Sequence, residues 1–224
     1  MNYEQARHNM IEQQLHPWQV SDPAVIELLY ADRREDFVPD AYRALAFADV
    51  EVPVAVGMGM QGVALLPPKL EGRVLQALVV QPHERVLEVG AGSGHMAALL
   101  AARAKEVWSV EIDPSVAAIA RANLGRADVE NVHVEIGDGL AGVLAHAPYD
   151  VIVVSGGVVE IPQVLIDQLA VGGRLAAFVA LPDQAPTMAL RCLTRISMEA
   201  VASEDVLETI VPMLKQAPAK QFVF

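Results

Sequence analysis

Cysteine is nearly missing from this chain: Cys192 is the single one in 224 residues. One thiol excludes an intramolecular disulfide framework and any Cys-based zinc cluster. Cys192 itself, in a strand-like stretch, is expected to be a small core residue. Basic residues are scarce as well. Lys and Arg number 16 against 28 Asp and Glu, a formal net charge of -12. Such a surface repels polyanions, so neither nucleic acid nor an anionic membrane is an expected partner. The basic doublet Arg33-Arg34 is answered at once by Glu35-Asp36. Long apolar runs are absent too, with none near the roughly 20 residues of a membrane span. The opening Met1-Asn2-Tyr3-Glu4-Gln5-Ala6-Arg7 lacks the apolar core of a secretion signal. A soluble, cytoplasmic protein is therefore expected. His8 and His16 do not form a ligand set, so no metal site is expected. Trp18 and Trp108 are assigned to packing.

What is present is apolar bulk, 53% of residues, enough for a full core. Residues 3 to about 50 read as helical. Met10, Ile11, Gln14 and Leu15 have amphipathic spacing up to Pro17, and Ser21-Asp22-Pro23 caps a second helix through Val25, Leu28 and Leu29. An irregular loop with Met58 and Met60 follows, and Pro67-Pro68 opens a helix through Leu78. From Arg85 onward strands at 85–89, 106–111, 131–136, 149–154 and 174–181 alternate with helices. That alternation predicts an α/β fold with a doubly wound, mostly parallel, Rossmann-like sheet. Two consecutive strands, Ala189 to Ala200 and Val206 to Leu214 around a turn at Ser203-Glu204-Asp205, close it as an antiparallel hairpin. Residues 1–68 are read as a helical extension with an acceptor-side loop, and 69–224 as the cofactor-binding domain, in one structural unit.

The stretch Arg85-Val86-Leu87-Glu88-Val89-Gly90-Ala91-Gly92-Ser93-Gly94 reads as strand, tight turn and helix start. This is where α/β sheets hold adenine-bearing cofactors. A nicotinamide-binding turn would need glycine at position 95, where His95 stands. Glu88 would oppose a pyrophosphate but suits the ammonium and sulfonium groups of S-adenosylmethionine. Glu111, ending the second strand, is placed for ribose hydroxyls, and Asp138 in Gly137-Asp138-Gly139 for the adenine amino group. The set Glu88, Gly90, Gly92, Ser93, Gly94, Glu111, Asp138 and Gly139 is the candidate cofactor site, with S-adenosylmethionine as the cofactor. His95 is expected as a cofactor-side wall or capping residue.

At these residues the chain resembles the protein-L-isoaspartate carboxyl methyltransferases, nearly end to end. The resemblance rests on Arg7-His8-Asn9-Met10-Ile11-Glu12-Gln13-Gln14-Leu15, Arg34-Glu35-Asp36-Phe37-Val38-Pro39, the glycine motif and Trp108-Ser109-Val110-Glu111. It continues through Ala147-Pro148-Tyr149-Asp150, Glu160-Ile161-Pro162 and Val211-Pro212-Met213-Leu214. It implies methyl transfer to the α-carboxylate of isoaspartyl residues in a protein or peptide, a repair reaction. The family's Gln-Thr-Ile-Ser-Gln-Pro stretch is here Val63-Ala64-Leu65-Leu66-Pro67-Pro68, so its threonine falls on Ala64 and its acceptor-binding serine on Leu66. Leucine offers a carboxylate no hydrogen bond. Candidate acceptor residues are Ala64, Leu66, Lys69 as a substitute cation, and Ser155 at the end of the fourth strand. Two alternatives stay open: a cofactor-binding module without isoaspartyl activity, and a methyltransferase for a more apolar acceptor.

Overall fold

The computed structural model describes residues 2–55 and 63–216. Met58 and Met60 lie outside the described residues. Helix α1, Tyr3–Met10, runs into a π-helical turn, Ile11–Leu15. Helix α2, Pro23–Ala31, starts where the sequence signals it: the Asp22 side chain accepts from the N–H groups of Ala24 and Val25, with Pro23 in the first turn. A two-stranded ribbon of β1, Val52–Pro53, and β2, Ala64–Leu65, leads to α3, Pro68–Leu78.

The main sheet follows. Strand β3 is Arg85–Val89, α4 His95–Ala101, β4 Glu106–Glu111, α5 Pro114–Arg126 and β5 Val132–Ile136. Then come β6, Tyr149–Val158, α6, Gln163–Asp167, β7, Leu169–Ala180, β8, Met188–Arg195, and β9, Val201–Thr209. The sheet order is β5-β4-β3-β6-β7-β8-β9, with β5 through β7 parallel and the last two pairings antiparallel. The chain winds outward from β3 to β5 and then returns to β6 on the other side. The crevice beyond the C-terminal ends of β3 and β6 is therefore the switch point, where such sheets bind ligands.

The parallel strands are apolar on both faces, as burial on both sides requires. Val86, Val107, Val151 and Val153 point into one core shared with Met10, Leu15, Leu70 and Leu100. Leu87, Val110, Ile152 and Val154 point into a second core with Trp108, Tyr149 and Leu165. Cys192 is buried in β8, and burial pushes its thiol up to about 11. No helix among the described residues is long and apolar enough to cross a membrane.

The hairpin forms, but its turn lies elsewhere than expected. The chain reverses between Arg195 and Val201, while Ser203-Glu204-Asp205 lies within β9. The polar run is there because β9 is the sheet edge: its outer residues face water, and charges suit an edge strand. Asp205 also pairs across the ladder with Arg191 through two contacts of 2.7 and 2.8 Å.

Candidate active site

A cleft opens at the switch point. Its wall takes Gly90 and Gly92 from the turn after β3, Glu111 from the end of β4, and Asp138 and Gly139 after β5. Ser155 of β6, and Ala64 and Leu66 from the segment before α3, close it from the other side. A strap, Pro212 to Lys215, completes it. Gly157 donates to the Pro212 carbonyl, the Leu214 N–H donates to the Gly157 carbonyl (both 2.8 Å), and the Leu214 side chain rests over Gly90 and Gly156.

Gly90, Gly92 and Gly94 all have left-handed backbones, with φ of 94°, 52° and 86°. Two of them need glycine for different reasons. A side chain on Gly92 would meet nothing within 4 Å, so its bare backbone is open to a ligand in the cleft. A Cβ on Gly94 would lie 3.1 Å from the Ala120 carbonyl oxygen, so this glycine lets α5 pack on the turn.

Glu111 braces the turn. Its Oε2 accepts from the Gly92 N–H at 3.1 Å and its Oε1 from the Asp113 N–H at 3.1 Å. A carboxylate has acceptor capacity beyond two bonds, so Glu111 can still receive ligand hydroxyls. Asp138 accepts from the Leu140 N–H at 3.0 Å, which leaves its second oxygen without a partner in its own turn. Bare backbone at Gly92 and two acceptor carboxylates at one end of the cleft suit the adenosine part of S-adenosylmethionine.

Three residues read as cofactor contacts stand behind the wall. The Ser93 hydroxyl accepts from the His95 N–H at 3.2 Å, and Gly94 packs on α5. Glu88 is 0% exposed. Its Oε2 accepts from the Ser109 hydroxyl at 2.5 Å and its Oε1 from the Ser155 hydroxyl at 2.9 Å. Burial pushes its carboxyl up to about 8; the serine bonds oppose that shift, and nearby Glu111 and Glu71 add to it. Enclosed by the two serines, the Glu88 side chain does not line the cleft. Lys69 is also away from the cleft. Its Nζ lies 2.8 Å from Asp49 Oδ2 and 3.9 Å from the centre of the Trp18 ring, which it covers. The packing assignment fits Trp108, buried between Arg85 and His146, better than Trp18, which is 37% exposed.

His95 turns away from the cofactor side, contrary to the expected wall position. Its Nε2 meets Asp32 Oδ2 at 2.8 Å and its Nδ1 meets Glu71 Oε1 at 2.9 Å. Burial alone would lower the imidazole, but the Glu71 and Asp32 carboxylates outweigh it and raise it to about 9. Arg34 completes this buried group with an ion pair to Glu71, and its Nη2 donates to the Leu66 carbonyl at 2.6 Å. Asp32, Arg34, Glu71 and His95 thus join α2, the acceptor-side segment, α3 and the start of α4. Arg34 and Glu35, which the sequence shows only as neighbouring charges of opposite sign, are both buried. One signal was available: Glu71 interrupts the apolar stripe Leu70, Val74, Leu75, Leu78 of α3, and a charge there calls for a buried partner. Ser109 and Leu214, also missed, carry no comparable mark.

Comparison with known proteins agrees with this geometry. The family model described as protein-L-isoaspartate(D-aspartate) O-methyltransferase matches residues 5–214. A protein-L-isoaspartate O-methyltransferase 2 of Marinobacter nauticus is 40% identical over 191 residues, covering 85% of this chain and 84% of its own. A solved protein-L-isoaspartate O-methyltransferase superposes with a TM-score of 0.81 at 27% identity, over 93% of this chain and 66% of that one. A Plasmodium falciparum protein of that description, solved with S-adenosyl-L-homocysteine, has a TM-score of 0.79 at 18% identity, over 97% of this chain and all (100%) of its own. The parallel sheet with two terminal antiparallel strands is the class I S-adenosylmethionine-dependent methyltransferase fold. The chain belongs to the protein-L-isoaspartate(D-aspartate) O-methyltransferase family.

Proposed function

We propose that this chain methylates the free α-carboxylate of L-isoaspartyl residues in cytoplasmic proteins, with S-adenosylmethionine as methyl donor, as a repair enzyme. The observation that carries the reading is the family match along residues 5–214, from the first helix to the strap. The donor supplies an electrophilic methyl on a sulfonium, and the acceptor carboxylate is already ionised at neutral pH, so no general base is needed. The chain's task is to hold one oxygen in line with that methyl and keep water away. Glu111 and Asp138 are proposed to anchor the adenosine end, with Gly92 giving it close backbone approach. Val63, Ala64, Leu66 and Leu214 exclude water at the other end. On this reading Glu111→Ala weakens S-adenosylhomocysteine binding roughly 10–100-fold, the loss of about 1.5–3 kcal/mol of charge-assisted hydrogen bonding. Calorimetry checks it, and an unchanged Kd removes Glu111 from the site.

The acceptor end sets the test. Leu66 has no side-chain donor, and its carbonyl is already held by Arg34. Labelled S-adenosylmethionine with an isoaspartyl peptide is expected to yield a base-labile methyl ester. Leu66→Ser with Pro67→Gln is expected to raise that turnover by roughly tenfold or more, by restoring one hydrogen bond to a charged group. Unchanged turnover in the double variant would mean that the acceptor is held elsewhere. A second reading, favoured by the apolar wall of Val63, Ala64 and Leu66, is methylation of a more apolar acceptor. Binding of S-adenosylhomocysteine without ester on the isoaspartyl peptide selects that reading, or one of a binding module.

A further inference from the structure

The ladder between β6 and β7 breaks at one place beside the cleft. Val154 pairs with Ala177 and Gly157 with Phe178, so Ser155 and Gly156 are two residues with no counterpart on β7. On the other side β3 ends opposite Val154, with Val89 as its last paired residue. A bulge of this kind re-aims side chains, and here it brings Ser155 to the cleft wall. The Ser155 Cβ lies 3.9 Å from where a side chain on Gly90 would begin, at the switch point itself. Among the described residues of the wall, Ser155 bears the one hydroxyl. The wall's Leu66 offers no side-chain donor.

Behind Ser155 lies a line of oxygen atoms that the proposed chemistry has not used. Ser109 Oγ, Glu88 Oε2, Glu88 Oε1 and Ser155 Oγ follow one another, with contacts of 2.5 and 2.9 Å. Glu88 and Ser109 face each other in register on β3 and β4, so the sheet itself sets the first contact. We propose that Ser155 donates the hydrogen bond that receives the acceptor carboxylate, and that Glu88 is its positioning residue. This rests on the carboxyl-methylating function proposed above.

The direction of the O–H groups decides whether the line works. As they stand, both serine hydroxyls donate to Glu88; a neutral Glu88 can instead donate its acid O–H from Oε1 to Ser155 Oγ across the same 2.9 Å, while Oε2 still accepts from Ser109. The Ser155 hydrogen is then free to point into the cleft toward an anion. With Glu88 ionised, Ser155 must turn its hydrogen inward and shows the acceptor only lone pairs, backed by a second negative charge. The charged groups around Glu88 are Glu111 and Glu71, both acidic, and with burial they raise its carboxyl to about 8. On this proposal the line points toward the cleft while Glu88 holds its proton and reverses as that proton leaves, near pH 8.

The test is steady-state methylation of an isoaspartyl peptide by the full chain, with S-adenosylhomocysteine calorimetry beside it, from about pH 6 to 9.5. Ser155→Ala is expected to lose roughly 10–100-fold in kcat/KM for the peptide, the usual loss for a bond to a charged group, with the S-adenosylhomocysteine Kd unchanged. Ser155→Thr, which keeps the hydroxyl, is expected to restore it. Wild type should lose kcat/KM as the pH rises through about 8, and Glu88→Gln should remove that fall because an amide cannot ionise. A Ser155→Ala enzyme with wild-type kcat/KM, or one that loses S-adenosylhomocysteine affinity in the same proportion, overturns the proposal. So does an alkaline fall that persists in Glu88→Gln. A wild type that binds S-adenosylhomocysteine but esterifies no isoaspartyl peptide overturns the functional reading and this proposal with it. An active wild type matched by Ser155→Ala overturns the proposal alone.

Discussion

Glu71→Ala is expected to destabilise the fold by about 3–5 kcal/mol, the cost of removing one partner from a buried ion pair. Asp32, Arg34, Glu71 and His95 form a closed group of two acids and two bases, with Arg34, Glu71 and His95 all buried. Arg34 and His95 converge on Glu71 from two sides, one oxygen each. Without it, two cations face each other with Asp32 alone to balance them. Arg34 Nη1 and His95 Nδ1 are already 3.2 Å apart, and when His95 is protonated both are donors. That contact is repulsive once the carboxylate between them is gone. Glu71→Gln should cost less, since an amide oxygen can still accept from one of the two. Urea unfolding measures both. A loss under about 1 kcal/mol for the alanine variant would mean that water reaches the group and replaces Glu71.

Stability is expected to fall as the pH rises from about 5 to 9, by roughly 7 kcal/mol in sum at about 1.4 kcal/mol per pH unit for each group. Two groups act in the same sense. His95 has its folded pKa raised from 6.5 to about 9. Its contribution is complete below about 6.5 and is lost as the pH rises through 9. Glu88 has its folded pKa raised from 4.5 to about 8. The folded state holds the proton that the unfolded chain releases above 4.5, so the penalty accumulates from there to about 8 and is constant beyond. Asp32 acts in the opposite sense: it is lowered from 3.8, burial being outweighed by His95, Arg34 and Arg7, and loses its contribution in acid. Maximum stability thus lies on the mildly acidic side of neutral. Urea midpoints across that range check the slope. Glu88→Gln should flatten the part between about pH 5 and 8 and leave the His95 part. A wild-type midpoint that does not move over the range would refute the assignment of both groups.

The scaffold was legible where local chemistry decides it. Proline and aspartate at the start of α2, the apolar strands and the glycines after Val89 each act on their own neighbourhood, so position along the chain suffices to read them. What was not legible is direction. Glu88 sits at the strand end expected of it, but its side chain runs across the sheet to Ser109 and Ser155 rather than into the cleft. Nothing in a one-dimensional pattern distinguishes those two outcomes, because both partners arrive from other strands. His95 and Lys69 differ from expectation for the same reason: their partners Asp32 and Asp49 come from the helical extension. The edge strand β9 shows the opposite failure, where a local rule was applied without its context. Polar residues signal a turn unless the strand has water on one side, and strand order is not written in any single segment.

The cleft draws its walls from Val63 at one extreme and Lys215 at the other, about 150 residues apart. A ribosome adding about 5–20 residues per second takes roughly ten to thirty seconds to travel that distance. From Gly94 onward the glycine turn exists as sequence but its pocket has no lid, since Leu214 has yet to be made. A nascent chain therefore has no assembled pocket, and every molecule that can hold a ligand there has already been translated as far as the strap. Binding at this cleft is a property of the finished fold and a late event in the life of each chain.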